Sequence, residues 1–272
     1  MRLIITMSKL VNVCTSNDNL NTVERGLIKT TVLAGNGIFE LAESWVGESI
    51  KSVFEYPIPI YPNLEESVTI SNKENRPTIP VEALLYTMKW YRDITKSTGN
   101  EAQVNFYLGN RDTEITINDE IVKVSNIRGV EFWGDNIFSY TPKQANCGAE
   151  TQAVDPIYNI LNQQVGMYVE THSHNNMRAF ASGTDLENSK SDGIQLVFGR
   201  LNTNEIQMYS WATVRGLIKQ GMTPEELSQY TDIPKSDFKD SKFIFDKDLS
   251  EFLDEQPFTQ EVFDSWNNQI VK

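Results

Sequence analysis

Two histidines and an aspartate fall within one short stretch of this chain. His172 and His174 are separated by one serine, seven residues follow, and Asp185 then completes a Ser-x-x-Asp pattern that begins at Ser182. The histidines end an apolar run, and if that run is a strand, its period of two places both imidazoles on one face. Two imidazoles and one carboxylate, with room for a water, form the ligand set of an open, catalytic zinc site.

The same residues also have a purely structural interpretation. Ser182 is a favourable N-cap residue for a helix, and Asp185 stands three positions later, as the acidic partner in a cap does. The two histidines could then be solvated residues at a strand end. They are, however, the only two histidines in the chain, and histidine is the commonest metal ligand. We therefore predict a metal site, and the capping role is compatible with it.

This stretch resembles the JAMM motif of the JAB/MPN metallopeptidases, in which His-Ser-His is followed, after seven residues, by Ser-x-x-Asp. The resemblance implies one Zn²⁺ held by His172, His174 and Asp185, a water on that metal, and a catalytic glutamate well upstream. The stretch departs from the pattern at two positions. Asn175 stands where a proline usually follows the second histidine, and Ala181 replaces a proline often found before the serine. Both positions shape the loop, and neither supplies a ligand.

The upstream glutamate that the resemblance implies is Glu101. Apolar residues at helical spacing predict a helix from Ile79 to Gly99, and alternating residues then predict a strand over 100–109. In the resembled family such a helix is followed by a glutamate at the start of a strand. A metal-bound water needs a base within hydrogen-bond reach. Glu170, two residues before His172 and on its face, is a rival for this role, or a fourth ligand or outer partner of the metal.

Composition and charge narrow the class of protein. A formal charge of −13 and a pI near 4.7 argue against a nucleic-acid partner, which would need a basic face. Cys14 and Cys147 are too few for a disulfide framework, so we expect a reduced, cytoplasmic setting. With both histidines assigned to a metal, Cys147 has no base that would activate it as a nucleophile. No apolar run reaches the roughly 20 residues of a membrane span, and we interpret Met1–Val13 as a first strand.

The chain is expected to contain three parts. These are an N-terminal α+β appendage over residues 1–78, a JAB/MPN-like metallopeptidase domain over 79–215, and an acidic helical C-terminal segment over 216–272. The fold class we predict is α+β, a mixed β-sheet with flanking helices, and the resemblance implies a layering like that of cytidine deaminases. Residues 140–151 are predicted to form a loop, 155–164 a helix, and 194–211 a hairpin.

The resemblance also implies the activity. It points to a zinc-dependent (iso)peptidase of JAMM type, deubiquitinase-like, that cleaves an amide bond at the tail of a ubiquitin-like or sulfur-carrier-like protein, as prokaryotic and phage-type members do. Glu101 would be the general base, and Ser182 would donate a hydrogen bond to the developing oxyanion. Two alternatives stay open: a zinc hydrolase acting on a small amide or nucleotide, and a JAB-fold scaffold without activity. Neither a membrane nor a nucleic acid is an expected partner.

Overall fold

The chain is a mixed α+β protein with several sheets and short helices. The computed structural model describes residues 11–13, 29–57, 62–72, 74–146, 151–153, 155–203, 205–235, 238–239, 243–245, 253 and 259–271. These residues form two compact units. The first comprises residues up to 74 together with 189–192 and 213–219, and the second comprises the remainder. No helix within the described ranges is long and apolar enough to cross a membrane.

The first unit contains a five-stranded sheet in the order β1-β2-β3-β4-β5. Its strands are β1 (Val11–Val13), β2 (Lys29–Ala34), β3 (Gly37–Ser44), β4 (Gly47–Glu55) and β5 (Ser67–Ile70). β1 and β2 are parallel, and the other neighbours are antiparallel. Buried residues alternate with partly exposed ones along β3, so this sheet buries one face over a small core of Val32, Phe39, Leu41 and Leu64.

The second unit is built on a larger sheet in the order β17-β18-β15-β14-β13-β6-β10-β9, with β16 paired to β15. Its central strands are β6 (Gln103–Leu108), β13 (Met167–Ser173) and β14 (Gly193–Gly199). The other strands of this sheet are β9 (Val130–Phe132), β10 (Ile137–Tyr140), β15 (Gln207–Val214), β16 (Leu217–Gln220), β17 (Phe238–Lys239) and β18 (Phe243–Phe245). β7 (Glu114–Ile117) and β8 (Glu120–Lys123) form a hairpin, and β11 (Gln144–Asn146) pairs with both β12 (Thr151–Ala153) and β19 (Ile270–Val271).

Strand β13 is the centre of the larger sheet. It pairs with β6 in antiparallel and with β14 in parallel orientation, and His172 lies opposite Gln103 on one side and Val197 on the other. Parallel neighbours need a crossover connection. Here the crossover includes the loop after His174 and the short helix α3 (Gly183–Asn188), which carries the third predicted ligand, Asp185.

Five helices occur in the described ranges. They are α1 (Val81–Thr98), α2 (Pro156–Gln164), α3 (Gly183–Asn188), α4 (Pro224–Leu227) and α5 (Gln260–Asn267). α1 packs on the sheet through Tyr91, whose buried hydroxyl donates to the Thr171 carbonyl at 2.9 Å. α5 packs on α1, where Trp90 Nε1 donates to Asn267 Oδ1 at 2.8 Å and the Trp90 and Trp266 rings meet edge to face.

Most predicted elements of the second unit are confirmed, with differences at their ends. The predicted helix ends at Gly99, which takes the left-handed conformation at φ 72°. The predicted strand over 100–109 begins only at Gln103, so Glu101 precedes the ladder. The predicted loop over 140–151 is wrong in part, because β11 lies within it. This strand forms by pairing with β12 and β19, and the Gln144 amide donates to the Gln269 carbonyl at 2.9 Å. The Gln144 side chain also accepts from the Gln103 amide at 2.8 Å and donates to the Gln103 carbonyl at 3.0 Å.

Two further expectations concern the cysteines and the C-terminal segment. Cys14 and Cys147 lie outside the described residues. The segment from residue 216 was expected to be helical, and its described part contains β16, β17, β18 and β19 in addition to α4 and α5. Helix α4 begins with a capping box, in which Thr223 Oγ1 accepts from the Glu226 amide at 3.2 Å and the Glu226 carboxylate accepts from the Thr223 amide at 2.9 Å.

Candidate metal centre

The two histidines stand at the end of β13, as the alternation along the apolar run predicts. His172 is the penultimate residue of the strand and His174 follows it directly. Their side chains point to the same side, and the two Nε2 atoms are 3.2 Å apart. A period of two along an extended chain accounts for this arrangement without any special backbone conformation.

Asp185 reaches the histidines from the first turn of α3. Its Oδ1 lies 3.3 Å from His172 Nε2, and its Oδ2 lies 3.5 Å from His174 Nε2. Ser182 holds the carboxylate in place: the Ser182 amide donates to Asp185 Oδ2 at 2.7 Å, and the Asp185 amide donates to Ser182 Oγ at 3.2 Å. The capping interpretation of this pair is therefore confirmed, and the cap orients the carboxylate toward the two imidazoles.

The spacing of these three side chains fits one metal ion. Atoms bound about 2.0–2.1 Å from a tetrahedral ion lie about 3.3–3.4 Å from each other. The two Nε2 atoms are 3.2 Å apart, and Asp185 approaches them with different oxygens, Oδ1 at 3.3 Å from His172 and Oδ2 at 3.5 Å from His174. One ligand atom from each residue can be chosen so that all three lie within 4.8 Å of one another. The group could therefore hold a metal ion, and three protein ligands leave one position of a tetrahedron open.

The loop that follows His174 is held against the end of β14. The His174 amide donates to the Phe198 carbonyl at 2.7 Å, and the Arg200 amide donates to the Met177 carbonyl at 2.7 Å. Gly199 permits this close approach, because a Cβ at that position would lie 2.4 Å from the Ala179 amide nitrogen. The loop between the ligands is thus fixed by backbone hydrogen bonds and by a glycine that the sequence pattern did not single out.

Asn175, where the resembled family usually has proline, has a left-handed backbone with φ 48°. Proline fixes φ near −65° and cannot take this conformation, whereas asparagine is one of the residues that tolerates it. The loop of this chain therefore follows a path that a proline at this position would forbid. The departure changes the loop and leaves the ligand spacing intact.

Asp185 and His172 shift each other's pKa in opposite directions. Burial raises the pKa of the Asp185 carboxyl, but the contacts with His172 and His174 outweigh burial and hold that pKa well below its usual range. Burial lowers the pKa of His172, but the bond to Asp185 and its charge, followed by the charges of Glu170 and Glu101, raise it above the ordinary value. Without a metal, the imidazole and the carboxylate behave as an ion pair.

The three side chains are mostly buried, and aromatic rings lie beside both imidazoles. Their side chains keep exposed fractions of 12% for His172, 5% for His174 and 17% for Asp185. The Phe180 ring lies 4.8 Å from the His174 ring, and the Trp211 ring lies 6.3 Å from that of His172. His174 Nδ1 is buried and finds no hydrogen-bond partner among the described residues, so Phe180 and the backbone, not a polar outer contact, orient this imidazole.

The two candidate bases occupy different places. Glu101 is buried, with 4% of its surface exposed, and lies on the segment between α1 and β6. Glu170 lies on β13 itself, opposite Asn105 on β6 and Gln195 on β14, and burial raises the pKa of its carboxyl. The charge of each acts on His172, so the structure brings both carboxyl groups into the electrostatic environment of the candidate centre.

Several buried polar residues near this centre were not among the predicted site residues. Gln103, Asn105 and Gln195 are buried on the central strands, and Gln103 Nε2 donates to Asn105 Oδ1 at 3.2 Å. Asn105 Nδ2 and Gln195 Oε1 have no hydrogen-bond partner among the described residues. The sequence does contain a signal for these residues, because amide side chains occur at alternate positions inside otherwise apolar strands. Such buried amides lower stability unless they form hydrogen bonds.

No protein-family model and no curated protein matches this chain in sequence.

Proposed function

We propose that the protein is a zinc-dependent amide hydrolase of JAMM type, an (iso)peptidase that cleaves at the tail of a ubiquitin-like or sulfur-carrier-like protein. The observation that carries this proposal is the grouping of His172, His174 and Asp185, whose ligand atoms lie within 4.8 Å of one another and could hold one metal ion. Two imidazoles and one carboxylate form a donor set that zinc accepts, and three protein ligands are typical of its catalytic sites.

Zinc held there would act as a Lewis acid toward the amide carbonyl and lower the pKa of a bound water to about 7. The protein's own groups would do the rest. Glu101 would accept the proton of the attacking water and return it to the leaving amine. Glu101 is buried, and its charge acts on His172. A base of this kind contributes about 10²–10⁴-fold to the rate.

Ser182 would stabilise the oxyanion that forms as the carbonyl carbon becomes tetrahedral. Its Oγ accepts a hydrogen bond from the Asp185 amide at 3.2 Å, so the hydroxyl proton remains for donation to the substrate. The same residue sits one turn from a ligand, which fixes its distance from the metal. One such donor is worth about 10²–10³-fold in turnover where it has been removed from other enzymes.

The surroundings of the ligands favour a polypeptide substrate over a small amide. Met177 and Phe180, in the loop between His174 and Asp185, keep 42% and 43% of their surface exposed. Two exposed apolar side chains beside a partly open centre suit contact with a larger apolar surface. The fold supports the same proposal, because a helix packed on one face of a mixed sheet and ligands at the end of its central strand agree with a JAB/MPN-like layering.

The test uses the full chain loaded with zinc and substrates of two sizes. One set carries a fluorogenic amide at the C-terminus of ubiquitin-fold proteins, and the other consists of the same amide on single amino acids and dipeptides. We expect zinc-dependent release from at least one protein substrate with a kcat/KM at least about 100-fold above that of the short amides. Faster cleavage of the short amides would favour a small-molecule hydrolase, and zinc binding without any hydrolysis would favour a scaffold.

A further inference from the structure

The residues that alternate with the two histidines at the end of β13 make contacts of their own. His172 and His174 turn their imidazoles toward Asp185, whereas the alternate residues Ser173 and Asn175 contact the segment that contains Glu101. We propose that Ser173 and Asn175 are positioning residues that lock the Glu101 segment onto the ligand strand. Their clamp is a contact of this structure, and its catalytic meaning rests on the function proposed above.

Ser173 forms the inner half of the clamp. Its amide donates to the Ala102 carbonyl at 3.0 Å, and its hydroxyl oxygen accepts from the Ala102 amide at 2.9 Å. Both backbone groups of the residue that follows Glu101 are therefore bonded to the one residue that lies between the two histidines. Ser173 and Ala102 are fully buried, so water cannot replace either bond if it breaks.

Asn175 forms the outer half. Its Nδ2 donates to the Gly99 carbonyl at 3.1 Å, and its Oδ1 accepts from the Thr95 hydroxyl at 3.2 Å. Thr95 is in the last turn of α1, and Gly99 ends that helix. The Asn175 carbonyl accepts from the Leu201 amide at 3.0 Å, so its backbone is held while its side chain spans to the helix.

The two contacts hold the chain immediately before and immediately after Glu101. Gly99 is bonded to Asn175 and Ala102 to Ser173, and between them only Asn100 and Glu101 remain, before the β6 ladder begins at Gln103. A segment outside a helix or ladder depends on such local bonds for its conformation. Catalysis is sensitive to misplacement of a reacting group by about 1 Å, so the clamp sets the distance between the base and the metal.

The first arm of the test needs no activity. In the metal-free, full-length protein, Asn175→Gly keeps the left-handed backbone and removes both side-chain bonds. We expect amide hydrogen exchange over residues 99–103 to become about tenfold faster, because one or two hydrogen bonds of ordinary strength are lost. The control is Asn118→Gly, which replaces an asparagine of the same conformation, φ 50°, in the β7–β8 turn. It should leave exchange over 99–103 unchanged.

The second arm separates positioning from general stability. In the zinc-loaded protein, Asn175→Gly should lower kcat about tenfold while KM and zinc stoichiometry stay at wild-type values. In a Glu101→Gln background the same change should alter the residual rate less than twofold, because the group it positions is already disabled. Ser173→Ala should act in the same direction, because it removes the acceptor of the Ala102 amide.

Three outcomes would overturn the clamp. They are unchanged exchange over residues 99–103 in both Asn175→Gly and Ser173→Ala, loss of zinc from Asn175→Gly, and an equal loss of rate with and without Glu101. The proposed function fails in a different way. If the wild-type protein hydrolyses no amide while exchange responds as expected, the clamp is a real structural contact and the enzymatic proposal is wrong.

Discussion

The two principal sheets of this protein bury their strands in different ways. Along β3 of the first unit, buried positions alternate with partly exposed ones, whereas every residue of β14 in the second unit is buried. The first sheet follows from the rule that one face is apolar and the other wet. The central strands of the second sheet are covered on both faces and still contain Gln103, Asn105, Gln195 and Ser173. Buried polar groups are costly, so their concentration near His172 distinguishes this sheet from the first one and supports the proposed site.

The largest expected effect is on zinc affinity, and it should follow only from a change in the second sheet that removes a predicted ligand. His172→Ala removes one of three donors, and we expect zinc affinity to fall at least about 100-fold, since even an outer partner of a ligand is worth 10–100-fold. The measurement is metal content after dialysis against a competing chelator. The matched control is Ser49→Ala, which removes a buried hydroxyl from the first sheet and should keep zinc at the wild-type level. Equal zinc in both variants would rule out the assigned centre.

Removal of the base should be the next largest effect. Glu101→Gln preserves size and leaves all three ligands in place, so zinc content should not change, while turnover falls about 10²–10⁴-fold. Glu170→Gln is the internal comparison, because Glu170 lies on the ligand strand and its charge also acts on His172. We expect it to lower turnover less than tenfold. If Glu170→Gln abolishes hydrolysis and Glu101→Gln does not, the two carboxylates have been assigned the wrong way round.

A smaller effect concerns the loop between the ligands. Gly199→Ala would place a Cβ 2.4 Å from the Ala179 nitrogen and 2.5 Å from the Met177 carbonyl oxygen, both backbone atoms that cannot rotate away. We expect a loss of about 1–3 kcal/mol in unfolding free energy, as for other overpacked sites, measured by urea denaturation of the metal-free protein. Gly183→Ala is the matched control, because nothing lies within 4 Å of its Cβ. A helical alanine there should be neutral or slightly stabilising.

The grouping of the predicted ligands could be inferred from the sequence, whereas the position of the Glu101 segment could not. The reason is physical. His172, His174, Ser182 and Asp185 are close in the chain, so a strand period and a helix cap are enough to bring them together. The Glu101 segment reaches the same place through a helix, a left-handed glycine and hydrogen bonds to residues far along the chain, and no local pattern encodes those.

The same limit explains the elements that were misjudged. β11 is a strand within the predicted loop because it pairs with β12 and with β19, which lies near residue 270, and such tertiary pairing overrides weak local propensity. The left-handed Asn175 was visible only as a missing proline, and its contacts with Thr95 and Gly99 could not be inferred from that absence. Buried amides such as Asn105 are recognisable in the sequence, but the groups that surround them depend on which strands lie beside them, and the sequence does not reveal that order.

The smallest expected effect is the release of a proton from His172 when zinc binds. In the metal-free protein the pKa of His172 is raised above its ordinary value, chiefly by Asp185 acting against burial, so at pH 6.5 more than half of these rings carry a proton. A ligand must be neutral to bind zinc, and binding should therefore release that proton. The sign follows: zinc affinity should fall as the pH drops through the His172 pKa, while Asp185, whose pKa is lowered, stays charged. Titration calorimetry at pH 6.5 in two buffers of different ionisation enthalpy measures the release. We expect more than half a proton per zinc from His172, and a value near zero would mean that His172 does not bind the ion.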